Sequence, residues 1–186
     1  MLSLGLPLHA ADLPTDHFQP SPPKAPPAPV IYDMEILFGG YAHDYSSPEG
    51  GSGDLNVELH LPKFYHISNT FWDQFIPRPA VGITANFVGK TSVIYGGAAW
   101  NFDITQRIFL GAEFGPSVNN GKTGDVVPPG HNAVGCNVMF HESATAGYRL
   151  TQDWSVMATV EHSSNASLCD RNRGVTNYGL RLGYRF

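Results

Sequence analysis

Polar and apolar residues take turns along most of this chain. From Ile31 onward, period-two runs bounded by Gly, Pro, Asn and Asp recur at roughly residues 31–43, 54–62, 79–88, 91–103, 107–117, 135–150, 154–164 and 175–186. In "WSVMATVEHS" the residues Trp154, Val156, Ala158 and Val160 share one face of an extended chain, and Ser155, Thr159 and Glu161 share the other. The closing run repeats this, with Tyr178, Leu180, Leu182, Tyr184 and Phe186 opposite Asn177, Gly179, Arg181, Gly183 and Arg185. Eight such runs predict an all-β, antiparallel fold of eight strands.

The polarity of the two faces decides what kind of fold. A water-soluble barrel or sandwich, lipocalin-like or otherwise, would also alternate, but with its apolar face inside. Here Glu113, Arg149, Arg181 and Arg185 fall on the face that would be interior, aromatic residues mark both strand ends, and the last strand closes on Phe186. A terminal aromatic resembles the assembly signal of bacterial outer-membrane barrels. The pattern therefore predicts an eight-stranded transmembrane β-barrel, apolar toward lipid and polar within. If both termini face the periplasm, "HDYSSPEGGSG", "VGK", "VNNGKTGDVVPPGHN" and "NASLCDRNRG" are outer loops, and "DITQ" and "TQD" are short periplasmic turns. The remaining periplasmic connection, "KFYHISNTFWDQFIPRP", is too long for a turn and has no explanation in the pattern.

A tight turn at Thr151–Asp153 sets a register in which Glu142 lies opposite His162 and Cys136 opposite Leu168. Cys136, at the outer end of strand six, and Cys169, in the last outer loop, are then expected to form a disulfide in an oxidising compartment.

Composition narrows the picture further. At 186 residues and 42% hydrophobic the chain has room for one domain, and abundant Gly (20) and Pro (15) suit strands and turns. No run of apolar residues is long enough for a transmembrane helix, a test that a β-barrel does not fail. The net charge of -5 and the lack of a basic patch argue against nucleic acid as a partner. Residues 1–30 divide from the barrel of 31–186. "MLSLGLPLHAADLP" reads as the remnant of an export signal, and "DHFQPSPPKAPPAPV" as a proline-rich, extended tether.

Three polar residues break the lipid-facing pattern. His162 and Ser164 continue the outward positions of strand seven, with Cα atoms roughly 6.6 Å apart on one face, near the outer end where headgroups lower the cost of polarity. Strand six carries one carboxylate, Glu142, among Val138, Phe140, Ala144, Ala146 and Tyr148. A hydroxyl, an imidazole and a carboxylate side by side are what nucleophilic catalysis requires. A salt-bridge partner or a polar strand end would leave the same residues.

"HSSNAS" followed by "NRGVTNYGLRLGYRF" resembles the H-x-S-N-A-G and N-x-G segments of the PagL-type lipid A 3-O-deacylases, eight-stranded outer-membrane barrels with a membrane-facing serine-histidine-glutamate site. The resemblance covers about the last twenty-five residues. It implies that Ser164 is the nucleophile, His162 the general base and Asn165 an oxyanion-hole donor, with a second, backbone donor at Ser167. Two departures stand out: the family glycine is Ser167 here, which restricts the backbone, and the family glutamate falls on Thr176. Glu142 is the expected replacement acid, since Asn177 points into the barrel.

The expected activity is hydrolysis of an ester-linked acyl chain of lipid A in the outer leaflet of the bacterial outer membrane, through an acyl-serine and without metal or cofactor. Lys122, Arg171 and Arg173 in the outer loops are candidates for lipid A phosphates. His43, His60, His66, His131 and His141 show no paired ligand spacing and are assigned to loops or lumen. Two rivals remain: a non-catalytic barrel with a structural, adhesive or partner-binding role, favoured by Thr176, and an acyltransferase using the same acyl-enzyme. The sequence leaves monomer and homodimer both open.

Overall fold

In the computed structural model, residues 34–186 are described; the signal remnant and proline-rich tether expected within 1–30 lie outside them. Eight antiparallel strands form a closed barrel in which each pairs with its sequence neighbours and β1 closes on β8. They are β1 (Glu35–His43), β2 (Ser52–His60), β3 (Arg78–Asn86), β4 (Val93–Asp103), β5 (Ile108–Asn119), β6 (Val138–Arg149), β7 (Trp154–Ser164) and β8 (Val175–Arg185). A four-residue helix, α1 (Thr70–Asp73), lies in the β2–β3 connection.

The expected inversion of polarity is present. Outward positions carry Phe38, Val57, Ile83, Ile94, Leu110, Phe140, Leu180 and Leu182, all exposed, whereas Asn56, Glu58, Thr84, His141, Glu161, Asn177 and Arg181 are buried inside. Among the described residues, buried apolar side chains cluster in two small groups, Leu37 with Phe109 and Met157, and Val134 with Met139 and Val175. Hydrogen bonds link many of the buried polar side chains. Arg181 donates to Glu58 Oε2 (2.6 Å), Thr145 Oγ1 (3.1 Å) and Thr159 Oγ1 (3.2 Å), and so braces four strands across the lumen. Tyr95 donates to the same Glu58 oxygen at 2.7 Å and stacks on His141 at 3.8 Å. A buried charge held in this way is costly to strip of its partner.

The β6–β7 register sets Glu142 opposite His162, as the turn at 151–153 predicts. On the other side, β8 sets Thr176 opposite His162. The imidazole therefore stands in one outward row, Phe114–Glu142–His162–Thr176, running across four strands.

At the end away from the termini, the long loops are fastened together. The Cys136–Cys169 disulfide joins the β5–β6 and β7–β8 loops across 33 residues of sequence, a closure that removes about 3–4 kcal/mol of unfolded-chain entropy in the simple loop model. Gly135 has φ +86°, and a Cβ there would sit 1.8 Å from Arg171 O, so only glycine lets the two loops cross this closely. Glu49, fully buried, accepts from Thr91 N–H (2.9 Å), Thr91 Oγ1 (3.1 Å) and Asn132 N–H (3.0 Å), and lies 3.0 Å from His43 Nε2. Burial pushes its carboxyl up, but the hydrogen bonds from His43, Asn132 and Thr91 outweigh that and hold it down at about 2.

Candidate active site on the lipid-facing wall

His162 is held from two sides. Its Nδ1 and Thr176 Oγ1 are hydrogen bonded at 2.8 Å. Gly174 packs against the ring: a Cβ there would meet Cε1 at 2.5 Å and Nε2 at 2.9 Å, so the absence of a side chain is what gives the imidazole its place. Thr176 is fixed in turn, because its backbone N–H donates to Asp44 Oδ1 at 3.1 Å. The buried Asp44 also accepts from Asn132 Nδ2, and its N–H donates to Asn177 Oδ1 at 3.0 Å. Asp44 therefore ties the first outer loop to the strand behind the histidine, a role that no sequence pattern announced.

The structure sets Glu142 and Thr176 on either side of His162 and Ser164 two residues beyond it. Ser164 follows His162 on the outward face of β7, and its hydroxyl has no hydrogen-bond partner among the described residues. Glu142 is exposed across the β6–β7 pair, yet makes no hydrogen bond with His162. The bond expected from Glu142 comes instead from Thr176, because Nδ1 of the ring turns toward β8. Asn165 differs more from expectation. Both hydrogens of its buried side-chain amide are engaged, with Val134 O at 2.7 Å and Arg171 O at 2.6 Å, and its backbone N–H donates to Asn172 Oδ1 at 2.8 Å. Asn165 thus anchors the loops in this structure and has no free donor for an oxyanion. Ala166 and Ser167 both adopt left-handed backbone, φ 51° and 62°, so the turn forms with serine at the position where the sequence resemblance led one to expect glycine. The Ser167 N–H has no partner among the described residues.

A second serine–histidine pair lies inside the barrel, Ser163 with His141 Nδ1 at 3.1 Å. Both side chains are buried in the lumen. Among the lumen groups, Glu58, His60 and Glu113 converge until their ligand atoms lie within 4.8 Å. Sequence spacing missed this cluster because the three come from two strands. Arg181 and Tyr95 also bond to Glu58, and Ser143 donates to Glu113 at 3.1 Å, so the group works as a strut of the wall. Of the remaining histidines, His43 lies between Asp54 and Glu49, His66 and His131 lie in connections, and Arg171 and Arg173 are exposed in the last outer loop.

Beside the row that holds His162 lies a groove of about 520 Å³, a volume in the range of small-molecule sites. Its floor is Ala112 and Ala144, which face each other across β5 and β6. Trp100 next to Ala112, and Val160 next to Ala144, form its sides, while Phe114, Glu142 and His162 close its outer end. Two alanines among bulky neighbours on a lipid-facing wall leave this space open.

A closed barrel that is polar inside and apolar outside, with two four-residue turns at one end and tied loops at the other, defines a bacterial outer-membrane β-barrel protein. Among solved structures, the chain resembles the outer membrane enzyme PagL with a TM-score of 0.62 at 17% identity, over 82% of this chain and 99% of that one. It also resembles the N-terminal barrel domain of Pseudomonas aeruginosa OprF (TM-score 0.55, 12% identity, 83% of this chain and 98% of that one) and Neisserial surface protein A (0.51, 15%, 82% and 97%). Comparison with curated protein sequences finds no match. The family model for lipid A 3-O-deacylase (PagL) matches residues 39–185, and the chain belongs to that family.

Proposed function

We propose that this protein hydrolyses an ester-linked acyl chain of lipid A, at the 3-O position by family resemblance, with Ser164 as nucleophile and His162 as base. The observation that carries the proposal is the imidazole fixed at Nδ1 by Thr176 (2.8 Å) on the lipid-facing wall, one residue pair from Ser164 and open to the groove. With its proton on Nδ1, donated to Thr176 Oγ1, the ring presents Nε2 as the base. Ser164 Oγ attacks the ester carbonyl carbon while Nε2 takes the hydroxyl proton. The bond from that carbon to the sugar oxygen then breaks, and the sugar oxygen leaves with the proton from Nε2. Water repeats the sequence on the acyl-serine, releasing the fatty acid and restoring Ser164. The Ser167 N–H is the proposed oxyanion donor, since the Asn165 amide is committed to the loops. The apolar groove takes the acyl chain without lifting it out of the membrane.

Thr176 orients the histidine as a carboxylate would but brings no negative charge to the imidazolium. Glu142, on the other flank, supplies that charge across the strand pair without a hydrogen bond. Lys122, Arg171 and Arg173 are placed in the outer loops to meet lipid A phosphates. Mass spectrometry of lipid A from cells expressing the wild type, Ser164→Ala and Glu142→Gln tests the scheme. The wild type should remove one acyl chain and Ser164→Ala none, with Glu142→Gln slowed but active. Unchanged lipid A alongside properly assembled wild type would point to a non-catalytic barrel, and acyl chains gained on another lipid would point to an acyltransferase.

A further inference from the structure

The β2–β3 connection stands apart from the other two at the terminus end of the barrel. Those are four-residue turns at 104–107 and 150–153, whereas this one runs through residues 61–77. It is ordered by its own bonds. Asn69 Oδ1 accepts from Phe71 N–H (3.0 Å) and Trp72 N–H (3.3 Å), and Asp73 accepts from Ile67 N–H and from Lys63 Nζ, each at 2.8 Å. The clip so formed has two faces. Its polar face turns to the barrel mouth, where Gln74 accepts from Asp103 N–H and where Lys63, Asp73, Asn101 and Arg149 border a cavity of about 430 Å³.

The other face is aromatic. Phe71, Trp72 and Phe75 touch one another with ring centroids 5.1–5.7 Å apart, and Phe75 packs edge-on against Phe102 at 5.4 Å. The Trp100 indole N–H donates to Phe75 O at 3.1 Å. Trp100 and Phe102 are outward residues of β4, so the knuckle is bonded to the lipid-facing wall and continues it beyond the strand end. Phe71 and Trp72 are each 57% exposed and Phe75 49%, as open as the barrel's lipid-facing leucines, and Phe64 nearby is 92% exposed. In water this would be a contiguous aromatic patch that none of the described residues covers.

We infer that this knuckle is inserted into the interfacial zone of the periplasm-facing phospholipid leaflet and anchors the barrel there on its β4 side. Three observations converge on a lipid occupant: continuity with the membrane-facing wall, the polar face turned away toward the mouth, and the aromatic composition that headgroup zones favour. Because Trp100 belongs both to the knuckle's contacts and to the side of the groove, the anchor sets the depth of the wall that carries the site. The inference does not depend on Ser164 being catalytic.

The chain has three tryptophans, Trp72, Trp100 and Trp154. The double variant Trp100→Phe/Trp154→Phe, refolded into vesicles of phosphatidylethanolamine and phosphatidylglycerol, leaves Trp72 as the sole reporter. Its fluorescence should be quenched strongly by lipids spin-labelled near the headgroup and weakly by lipids labelled at mid-chain. Quenching by aqueous acrylamide should fall about threefold relative to the unfolded chain. If the double variant does not refold, the difference in emission between wild type and Trp72→Phe gives the same readout with Trp100 in place. Free quenching by acrylamide with no effect of spin-labelled lipid would overturn the anchor.

Discussion

Thr176 stands where the sequence resemblance leads one to expect a glutamate, and its environment shows what the hydroxyl does there. The hydroxyl occupies the Nδ1 side of His162 at hydrogen-bonding distance and brings no charge to it. Elsewhere, a serine enzyme whose histidine-orienting carboxylate is made neutral loses about four orders of magnitude in rate. Thr176→Glu should therefore raise kcat on lipid A by at least tenfold, on the order of 1–2 kcal/mol of transition-state stabilisation. Thr176→Val should lower it without changing barrel assembly, and timed mass spectrometry of lipid A separates the two. Gly174→Ala is a sharper test of the ring's position, since its Cβ would meet the imidazole at 2.5 Å. The expected result is a folded barrel with activity reduced on the order of a hundredfold, the scale of a catalytic group displaced by about 1 Å. Sequence alone made Thr176 look like a simple loss, because a hydroxyl in an acid's place shows no partner until the strands are paired.

At the scale of elements, strand period and register were legible from the chain. The run at 154–164 coincides with β7, and the β6–β7 pairing agrees residue for residue, because a tight turn and a buried face leave no freedom to slip. Other ends moved by a few residues: β2 begins at Ser52, β3 at Arg78, and β6 only at Val138, since Cys136 belongs to the tied loop. The groove was not legible. Ala112 and Ala144 are 32 positions apart and become one floor only when β5 and β6 pair. Ala144→Phe should fill that floor, raising KM for lipid A on the order of tenfold while leaving a short, water-soluble ester substrate turned over at the wild-type rate. Equal loss on both substrates would mean that the acyl chain lies elsewhere.

The described residues form a barrel whose lumen is braced by charge and whose outer loops are tied at Glu49 and the disulfide. Glu49 gives the loops a pH dependence with a definite sign. Its carboxyl lies at about 2 when folded, against an ordinary value of 4.5, so its contribution is complete above about 4.5 and is lost as pH falls toward 2. Hydrogen exchange of the loops at 44–51 and 120–137 should accelerate across that window while the strands stay protected. Glu49→Gln should show faster loop exchange already at neutral pH and little further change on acidification. By itself the sequence determined the strands, their faces, the inverted polarity, the cysteine pair and the place of His162 and Ser164. All of these follow from a two-residue period and short-range turns, which a linear chain carries in full. Only the tertiary structure decided which group orients the imidazole, that Asn165 is spent on the loops, that two alanines make a groove, and that the long β2–β3 connection folds into an aromatic knuckle. Each of those depends on residues far apart in sequence meeting across the closed sheet, and pairing distance is a quantity that alternation along one strand does not contain.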